Sequence, residues 1–370
     1  MGIPALFQEI FESAVQQGAS DIHIAVEEAP YFRVQGKLVA WSSSINSKIS
    51  IEQISSLIDA LLSKSDRERL NHRGSFDGAF SIQPDHRFRF NAFHKQGRLA
   101  FAIRFLPDQI PELKDLGLED RLYQIANLKD GLVLVAGPTG SGKSTTIAAF
   151  IDRINRTRNC HIITVEDPIE FIHRSQSALV SQRQIGSDVA HFSQALQDAV
   201  RQDPDVILVG ELRDLDTIRT AVTAAETGHL VFATVHAGDS KTAVERLVGA
   251  FPAEEQNLAQ RLVATVLRTV IVQHLLPRMS NPNLNDQNQS RKRVLASEVM
   301  HANSGISNLI ANGNLSQLAS IIQTAGDEGM WTLDDSLAKL WRARQISEQT
   351  ARSLARDPGT LSQIKRRNRA

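Results

Sequence analysis

Hydrophobic residues form two different patterns along this chain, and the change from one pattern to the other separates an N-terminal part from a C-terminal part. In the first hundred residues, short segments alternate apolar and polar side chains, which is typical of half-buried strands, and two segments have the amphipathic pattern of helices. The predicted strands are 21–25, 31–35, 37–41, 75–82, 87–93 and 99–105, and the predicted helices are 3–16 and 51–62. We therefore expect a small α+β domain over residues 1–106.

Continuous apolar runs replace this alternation after a proline-containing segment, 107–113. Pro107 and Pro111 each bias the preceding residue toward extended structure, which suits a linker between domains. The runs that follow are GLVLVAG, HIITV, DVILVG and HLVFATV, and helical stretches separate them. Apolar strands that alternate with helices indicate a parallel sheet covered on both faces. We expect an α/β domain over residues 114–370.

Three further stretches complete this second part. Residues 242–276 have apolar side chains at helical spacing and predict two amphipathic helices, broken near Pro252. The segment Ser280–Arg293 is polar and has no periodicity, so it predicts a loop, whose role the sequence leaves open. Residues 304–354 predict a group of helices.

Composition narrows the class of protein. A hydrophobic fraction of 42% with 22% charged residues fits a globular protein that buries real cores. Lys and Arg number 41, and so do Asp and Glu, so no net charge draws the chain to nucleic acid, and we expect no nucleic-acid partner. The single cysteine, Cys160, excludes an internal disulfide and a cysteine-built zinc site. No apolar run reaches the roughly 18 residues of a membrane span, and no signal peptide is visible, so we expect a cytoplasmic protein.

The sequence GPTGSGKST matches the phosphate-binding loop pattern G-x-x-x-x-G-K-[ST]. It follows a predicted strand, 132–136, and precedes a predicted helix, which is the context that this loop requires. The predicted nucleotide-binding residues are Gly137, Pro138, Thr139, Gly140, Ser141, Gly142, Lys143, Ser144 and Thr145. Backbone N–H groups of such a loop surround phosphate oxygens, Lys143 is expected to reach the β- and γ-phosphates, and the Ser144 hydroxyl is expected to bind Mg²⁺.

Acidic residues follow two of the apolar strands. Glu211 comes after the strand 206–209, with Gly210 in the place where a Walker B aspartate usually stands. Glu166 and Asp167 come directly after the strand 161–165. Because parallel strands end along one edge of a sheet, these carboxylates are expected to converge on the phosphate-binding loop. One would hold Mg²⁺ and the other would take a proton from the attacking water, and the sequence leaves open which of Glu166 and Glu211 is the general base.

The nucleotide is expected to be ATP. No NKxD sequence follows the phosphate-binding loop, which argues against guanine specificity, and no LSGGQ-like sequence indicates a transporter subunit.

Two histidines flank the last of the apolar strands. Seven extended residues would separate His229 from His236 by about 23 Å at ~3.3 Å per residue, too far for both to bind one metal. His236 lies at the carboxyl end of the strand, the edge that also carries the acidic residues. We expect it to contact the γ-phosphate or the attacking water as a sensor, and His229 to be a strand-start or subunit-contact residue.

Several long motifs, in order, resemble the type IV pilus retraction ATPases (PilT-type) of the secretion-ATPase superfamily, over nearly the whole chain. The N-terminal motif is GASDIHI, and RFRFNAF and AIRFLP follow it. GPTGSGKST corresponds to the Walker A motif, ITVEDPIEF to the Asp box, RQDPDVILVGELRD to the Walker B motif and AAETGHLVFATVHA to the His box.

The resemblance implies a homo-hexamer whose subunits join a PAS-like N-terminal domain to a RecA-like P-loop ATPase domain, with nucleotide between the two. It implies that ATP hydrolysis, with Mg²⁺, powers pilus retraction at the inner membrane, through a platform protein and with a second pilus motor ATPase as a further partner. It also implies that Arg89, Arg104 and Arg201 contact phosphate, a role that suits the planar guanidinium.

Two departures from the family pattern leave alternatives open. Gln197 stands where relatives often have an arginine, and Ser307 stands where the C-terminal motif usually has one. The alternatives are a pilus-assembly or type II secretion motor, a RecA-like DNA motor, and an ATP-binding scaffold that does not hydrolyse.

Overall fold

The computed structural model describes residues 2–34, 36–41, 48–83, 86–106, 109–279 and 293–357. The predicted loop Ser280–Arg293 lies outside the described residues except for Arg293, as do the first two residues of the predicted linker. The described chain divides into two compact units. One contains the residues up to Gln109 together with Glu170–Ile172, and the other contains the remainder.

The first unit is one antiparallel sheet with three helices. The strands are β1 (Ala19–Ala25), β2 (Tyr31–Val34), β3 (Lys37–Ala40), β4 (Ser75–Gln83), β5 (His86–Lys95) and β6 (Arg98–Leu106). Their order in the sheet is β3-β2-β1-β6-β5-β4. The helices are α1 (Ala5–Gln16), α2 (Ile51–Leu61) and α3 (Lys64–Arg73). The predicted α+β character of this part is therefore present in the structure.

Aromatic side chains fill the core of the first unit. Phe88 is fully buried on β5, and its ring centroid lies 5.3 Å from that of Phe11, 5.2 Å from that of Phe80 and 5.5 Å from that of Phe105. Rings at these separations attract each other beyond the area that they bury. This cluster joins α1 to three neighbouring strands.

Helix α3 has no counterpart in the prediction because its sequence, KSDRERLNHR, has no apolar stripe. Leu70 is its one buried residue. The sequence signals for this helix lie at its two ends instead. Ser63 and Asp66 form a capping box at the start, and Gly74 takes a left-handed conformation directly after the last turn.

The second unit is built around a mixed sheet of seven strands. The strands are β7 (Gly131–Ala136), β8 (His161–Glu166), β9 (Leu179–Gln184), β10 (Val206–Val209), β11 (Leu230–Val235), β12 (Leu267–Pro277) and β13 (Arg293–His301). Their order is β13-β12-β7-β11-β10-β8-β9. All neighbours are parallel except β12 and β13.

Ten helices and three 3₁₀ segments complete the described part of this unit. The helices are α4 (Leu113–Leu116), α5 (Lys143–Thr157), α6 (Phe192–Ala199), α7 (Leu215–Glu226), α8 (Ser240–Gly249), α9 (Gln256–Val266), α10 (Ser304–Ala311), α11 (Leu318–Thr324), α12 (Leu333–Arg342) and α13 (Glu348–Leu354). The 3₁₀ segments are Asp120–Asn127, Leu315–Gln317 and Gly326–Glu328. Among the described residues no helix is long and apolar enough to cross a membrane.

Both faces of the second sheet are covered, as the apolar runs predict. Along β7, Leu132 and Leu134 pack into one hydrophobic cluster, whereas Val133 and Val135 pack into another on the opposite face. Every residue of β7 and of β11 is buried. Polar side chains are therefore confined to the ends of these strands.

The prediction of helices over 242–276 was wrong in its last third. Helices α8 and α9 are present, but the chain leaves α9 at Val266 and runs directly into β12. The sequence LRTVIVQHLLP of β12 is rich in β-branched residues, which favour strands, and apolar periodicity alone does not separate a short buried strand from a helix.

We expect Phe88→Ala to lower the free energy of unfolding of the first unit by about 3–5 kcal/mol, because it removes a fully buried ring from the cluster. Native-state hydrogen exchange of the β5 and β6 amides in the full chain measures this loss. Leu38→Ala is the control, since the Leu38 side chain is 53% exposed on β3; it should change the same quantity by less than about 0.5 kcal/mol. Similar effects from both variants would contradict the role assigned to the aromatic cluster.

Candidate active site

Four adjacent parallel strands end at one edge of the second sheet, and each leads into one of the predicted site residues. In sheet order these strands are β7, β11, β10 and β8. The phosphate-binding loop follows β7, His236 follows β11, and Glu211 follows β10 after one residue. Glu166 is the last residue of β8 rather than the first beyond it, one residue from its predicted place. The structure thus brings the loop, both carboxylates and the histidine to a common edge.

The phosphate-binding loop joins β7 to α5, as predicted. Gly137, Gly140 and Gly142 all have positive φ angles, of 146°, 76° and 91°, a region that favours glycine. Helix α5 begins at Lys143, whose Nζ donates to the carbonyl oxygens of Gly137 at 3.0 Å and Pro138 at 3.1 Å. The ammonium group therefore lies across the loop, at the N-terminal end of the helix.

The loop forms a close cradle that fits a phosphate group. A Cβ atom at Gly137 would lie 2.4 Å from the carbonyl oxygen of Gln273 in β12 and 2.5 Å from the Ser141 hydroxyl. The Ser141 hydroxyl is itself buried without a protein partner, which is unusual for a polar group. Thr139, Gly140 and Ser144 are exposed at the mouth. Backbone N–H groups at the start of α5, with the positive end of the helix dipole, complete an anion site.

Glu211 and His236 contact each other at the centre of the edge. The His236 Nε2 atom lies 3.2 Å from one carboxylate oxygen of Glu211, and Arg213 Nη2 lies 2.6 Å from the other. The hydrogen bond to Glu211 raises the pKa of Arg213. Glu211 is largely buried, with 17% of its side chain exposed. The histidine predicted as a sensor and the predicted Walker B carboxylate are thus in direct contact.

Close packing against the end of β8 favours glycine at position 210. Its N–H donates to the Val165 carbonyl at 2.8 Å. A Cβ atom at Gly210 would lie 3.2 Å from that oxygen and 3.3 Å from the Glu166 Cα. These distances are shorter than ordinary van der Waals contact, so a side chain here would displace the end of β8 by a few tenths of an ångström. The acidic side chain therefore stands one residue later, at Glu211.

Glu166 is held by two polar neighbours. Its Oε1 accepts a hydrogen bond from Thr164 Oγ1 at 2.7 Å and another from Gln182 Nε2 at 3.2 Å. The Gln182 side-chain oxygen accepts from the His173 backbone N–H at 2.7 Å. These contacts fix the orientation of the carboxylate before any ligand binds, which is the arrangement that catalysis favours.

The arginines that the resemblance assigned to phosphate fall into two groups. Arg89 and Arg104 are opposite each other on β5 and β6 in the first unit. Arg104 Nε donates to Asp21 Oδ1 at 2.8 Å, and Arg89 Nη2 lies 4.0 Å from Asp77. Burial alone would raise the pKa of Asp21, but hydrogen bonds from Ser20 and Arg104 outweigh it and lower that pKa. Within the first unit, then, both arginines face carboxylates.

Arg201 and His229 lie away from the loop-bearing edge. Arg201 is exposed in the turn that follows α6. The His229 Nδ1 atom lies 2.9 Å from the Ala224 carbonyl oxygen and 3.2 Å from the Thr227 hydroxyl, at the end of α7. His229 precedes β11 and His236 follows it, so the two histidines lie at opposite ends of one strand.

Sequence reasoning missed four residues that position the site: Thr164, Gln182, Arg213 and Thr234. Thr164 was discoverable, because a residue two positions before Glu166 on a strand points to the same side. The Thr234 hydroxyl donates to the Gly210 carbonyl and links the loops after β10 and β11. Gln182 lies on β9, a strand that the prediction did not contain.

We expect Gly137→Ala to abolish the stabilisation of the protein by MgADP. The added methyl group would collide with the backbone, and alanine disfavours the positive φ angle that this position requires. The measurement is the shift in unfolding temperature at saturating MgADP. When a ligand binds the native state alone, the stabilisation that it gives rises with the logarithm of its concentration. Gly249→Ala is the control, since no atom lies within 4 Å of its added Cβ. Undiminished stabilisation of Gly137→Ala would show that the loop does not hold phosphate.

Comparison with known proteins gives the family. The model of the Type II/IV secretion system protein family matches residues 2–352. The Type IV pilus retractation ATPase PilT of Pseudomonas aeruginosa is 39% identical over 351 residues, covering 95% of this chain and 98% of that protein. A twitching motility protein of Neisseria gonorrhoeae is 38% identical, covering 95% of this chain and 90% of that protein.

A solved structure extends this likeness to three dimensions. The crystal structure of the pilus retraction motor PilT with bound ADP matches with a TM-score of 0.87 at 39% identity, and covers 96% of this chain and 98% of that one. The likeness confirms the predicted fold class, and the relatives confirm the resemblance found in the motifs. The chain belongs to the Type II/IV secretion system protein family.

Proposed function

We propose that this chain is a hexameric, ATP-hydrolysing motor of a type IV pilus machine and that it powers pilus retraction. The observation that carries the proposal is the meeting of the phosphate-binding loop, His236, Glu211 and Glu166 at the ends of four adjacent strands. Relatives named as a retraction ATPase and a twitching motility protein, similar over almost their whole length, favour retraction among the tasks of such motors.

ATP is held, in this proposal, by the loop from Gly137 to Thr145. Its backbone N–H groups and the N-terminus of α5 face the phosphates, and the buried Ser141 hydroxyl gains a partner there. Lys143 exchanges the carbonyl oxygens of Gly137 and Pro138 for phosphate oxygens. Because the ammonium group is compact and mobile on its stem, this exchange needs no change in the backbone.

Magnesium is assigned to Ser144 and Glu211. Mg²⁺ keeps several waters and binds through one or two protein oxygens together with substrate phosphates, so these two oxygen donors suit it. It would supply positive charge that stabilises the leaving phosphate. Glu211 is the better placed carboxylate for the metal because β10 lies closer to β7 in the sheet than β8 does.

Glu166 then serves as the general base, and His236 as the sensor. Thr164 and Gln182 orient the Glu166 carboxylate so that it can accept a proton from the attacking water. His236 contacts Glu211 and so responds to whether the phosphate site is occupied. Arg89 and Arg104 supply further cationic contacts to phosphate, and for Arg104 that requires release from Asp21. Arg201, which lies away from the loop of its own subunit, supplies such a contact to the phosphate of a neighbouring subunit in the ring.

The organisation that follows is a ring of identical subunits. Each subunit has an N-terminal domain, 1–106, a linker, 107–113, and an ATPase domain, 114–370. Nucleotide binding shifts the relative orientation of the domains only to the extent that it contacts the alternative states differently. The ring acts at the cytoplasmic face of the inner membrane on a pilus platform protein, with a second motor ATPase as a further partner.

We expect Lys143→Ala to abolish steady-state ATP hydrolysis, since it removes the charge at the β- and γ-phosphates.

Glu211→Ala should still bind nucleotide but lower kcat by about 10²-fold or more, because it removes the group that orients the metal. A coupled phosphate-release assay and a fluorescent-nucleotide titration measure the two effects. Glu226→Ala, at the exposed end of α7, is the control. Near-normal turnover in Lys143→Ala would rule out the loop as the nucleotide site.

Deletion of the gene in a piliated host tests the direction of the motor. A retraction motor pulls pilin back into the membrane, so its loss should leave surplus surface pili and no twitching motility. Electron microscopy of surface pili and a subsurface motility assay give the readout, with the wild-type gene restored in trans as the control. Loss of surface pili would instead identify an assembly motor.

A further inference from the structure

A buried carboxylate outside the nucleotide site joins three distant parts of the chain. Glu298 lies on β13 with 2% of its surface exposed. A charge withdrawn from water in this way is stable only when partners satisfy it. Its partners come from the start of α8 and from the segment that follows α13, each 58 residues away along the chain.

One oxygen of Glu298 holds the start of α8. Its Oε1 accepts from the Ser240 backbone N–H at 2.8 Å and from the Ser240 hydroxyl at 2.7 Å. Ser240 is fully buried and is the first residue of the helix, directly after the N-cap, Asp239. The negative charge also meets the positive end of the helix dipole. The C-terminal end of the His236 loop, residues 236–239, is therefore fastened to β13.

The other oxygen of Glu298 holds Arg356. Arg356 Nη1 donates to Glu298 Oε2 at 2.7 Å, and Nη2 donates to the Gly238 carbonyl at 2.8 Å. The same guanidinium lies 3.6 Å from Asp239. Arginine can make these contacts together because its planar fork directs several N–H groups at once. Arg356 thus reaches the middle of the His236 loop directly as well as through Glu298.

The backbone around Arg356 is fixed in its turn by α12. Asp334, 8% exposed, accepts from the Arg356 N–H at 3.0 Å and from the Asp357 N–H at 2.9 Å. The backbone at Arg356 is therefore already ordered, so less conformational entropy is lost when its guanidinium pairs with Glu298.

We propose that Glu298 and Arg356 form a clamp that positions His236 against Glu211, so that the segment after α13 controls the rate of ATP turnover. The clamp consists of Glu298, Arg356, Gly238 and Ser240. His236 lies two residues before Gly238, and its 3.2 Å contact with Glu211 depends on where that loop lies. Glu298 and Arg356 are positioning residues in this inference, which rests on the proposed function.

Arg356→Ala is the test, because it removes the partly exposed guanidinium that joins Glu298 to Gly238, while Glu298 keeps its two hydrogen bonds from Ser240. We expect hydrogen exchange of the peptide 236–242 to accelerate, while exchange of β7 stays unchanged. We expect kcat to fall by at least about tenfold, since a displacement of about 1 Å at a catalytic group costs up to 10²-fold, with KM for ATP within about twofold. Arg356→Lys should recover part of kcat, because it restores the charge but not the fork.

Arg352→Ala is the matched control. Arg352 lies on α13 and pairs with Glu348 at 2.9 Å on the surface, so its loss should change neither exchange nor kcat. A second comparison places Arg356→Ala in a His236→Ala background. If the clamp acts through His236, the two changes together should lower kcat no further than His236→Ala alone.

The outcomes separate the clamp from the proposed function. Unchanged exchange of 236–242 in Arg356→Ala overturns the clamp, whether or not the protein hydrolyses ATP. Faster exchange with wild-type kcat, or an equal further loss in the His236→Ala background, overturns its role in turnover. Failure of the wild-type chain to hydrolyse ATP would instead overturn the proposed function, while exchange would still test the clamp.

Discussion

Parallel pairing of β7, β11, β10 and β8 is the constraint on which the candidate site depends. Gly131–Ala136 is aligned with Leu230–Val235 residue for residue, and the same alignment continues through Val206–Val209 to β8. Since both faces of these strands are packed with apolar side chains, polar chemistry has room only at their ends. The register therefore decides which residues of distant sequence meet: Glu166, Glu211 and His236 each occupy the last position of a strand or one of the first two beyond it, and the phosphate-binding loop starts directly after β7.

The sequence was most informative where a residue pattern has one physical explanation. The glycines of the phosphate-binding loop have the positive φ angles that their spacing implied, and the fully apolar runs are the central parallel strands. Prediction failed where tertiary contacts decide the conformation. The run 267–277 is a strand because β7 and β13 flank it, and its pairing with β13 brings together segments separated by the undescribed residues 280–292. Periodicity within one segment contains no record of such a partner.

Apart from Thr164, the partners of the predicted site residues were also beyond the sequence. Glu166 and Glu211 were found by their places after strands, but Gln182 and Arg213, which contact them, follow no spacing rule. Gly210 is different, because the sequence shows it as a departure from the Walker B pattern and the packing of β8 explains it. A Cβ atom at that position would lie 3.2 Å from the Val165 carbonyl oxygen of β8, so glycine is the residue that fits without displacing that strand. A motif comparison alone counts this glycine as a lost acid, whereas the structure places the carboxylate of Glu211, one residue later, at the same edge of the sheet.

The place of Arg356 in the chain has a consequence for the order in which the molecule is completed. A ribosome delivers the phosphate-binding loop, both carboxylates and His236 long before it delivers residue 356. Before residue 356 is made, Glu298 can accept hydrogen bonds from Ser240 but lacks its guanidinium partner. In the clamp that we propose, the contribution of Arg356 to the restraint on the loop after β11 is therefore added only when residue 356 has been made.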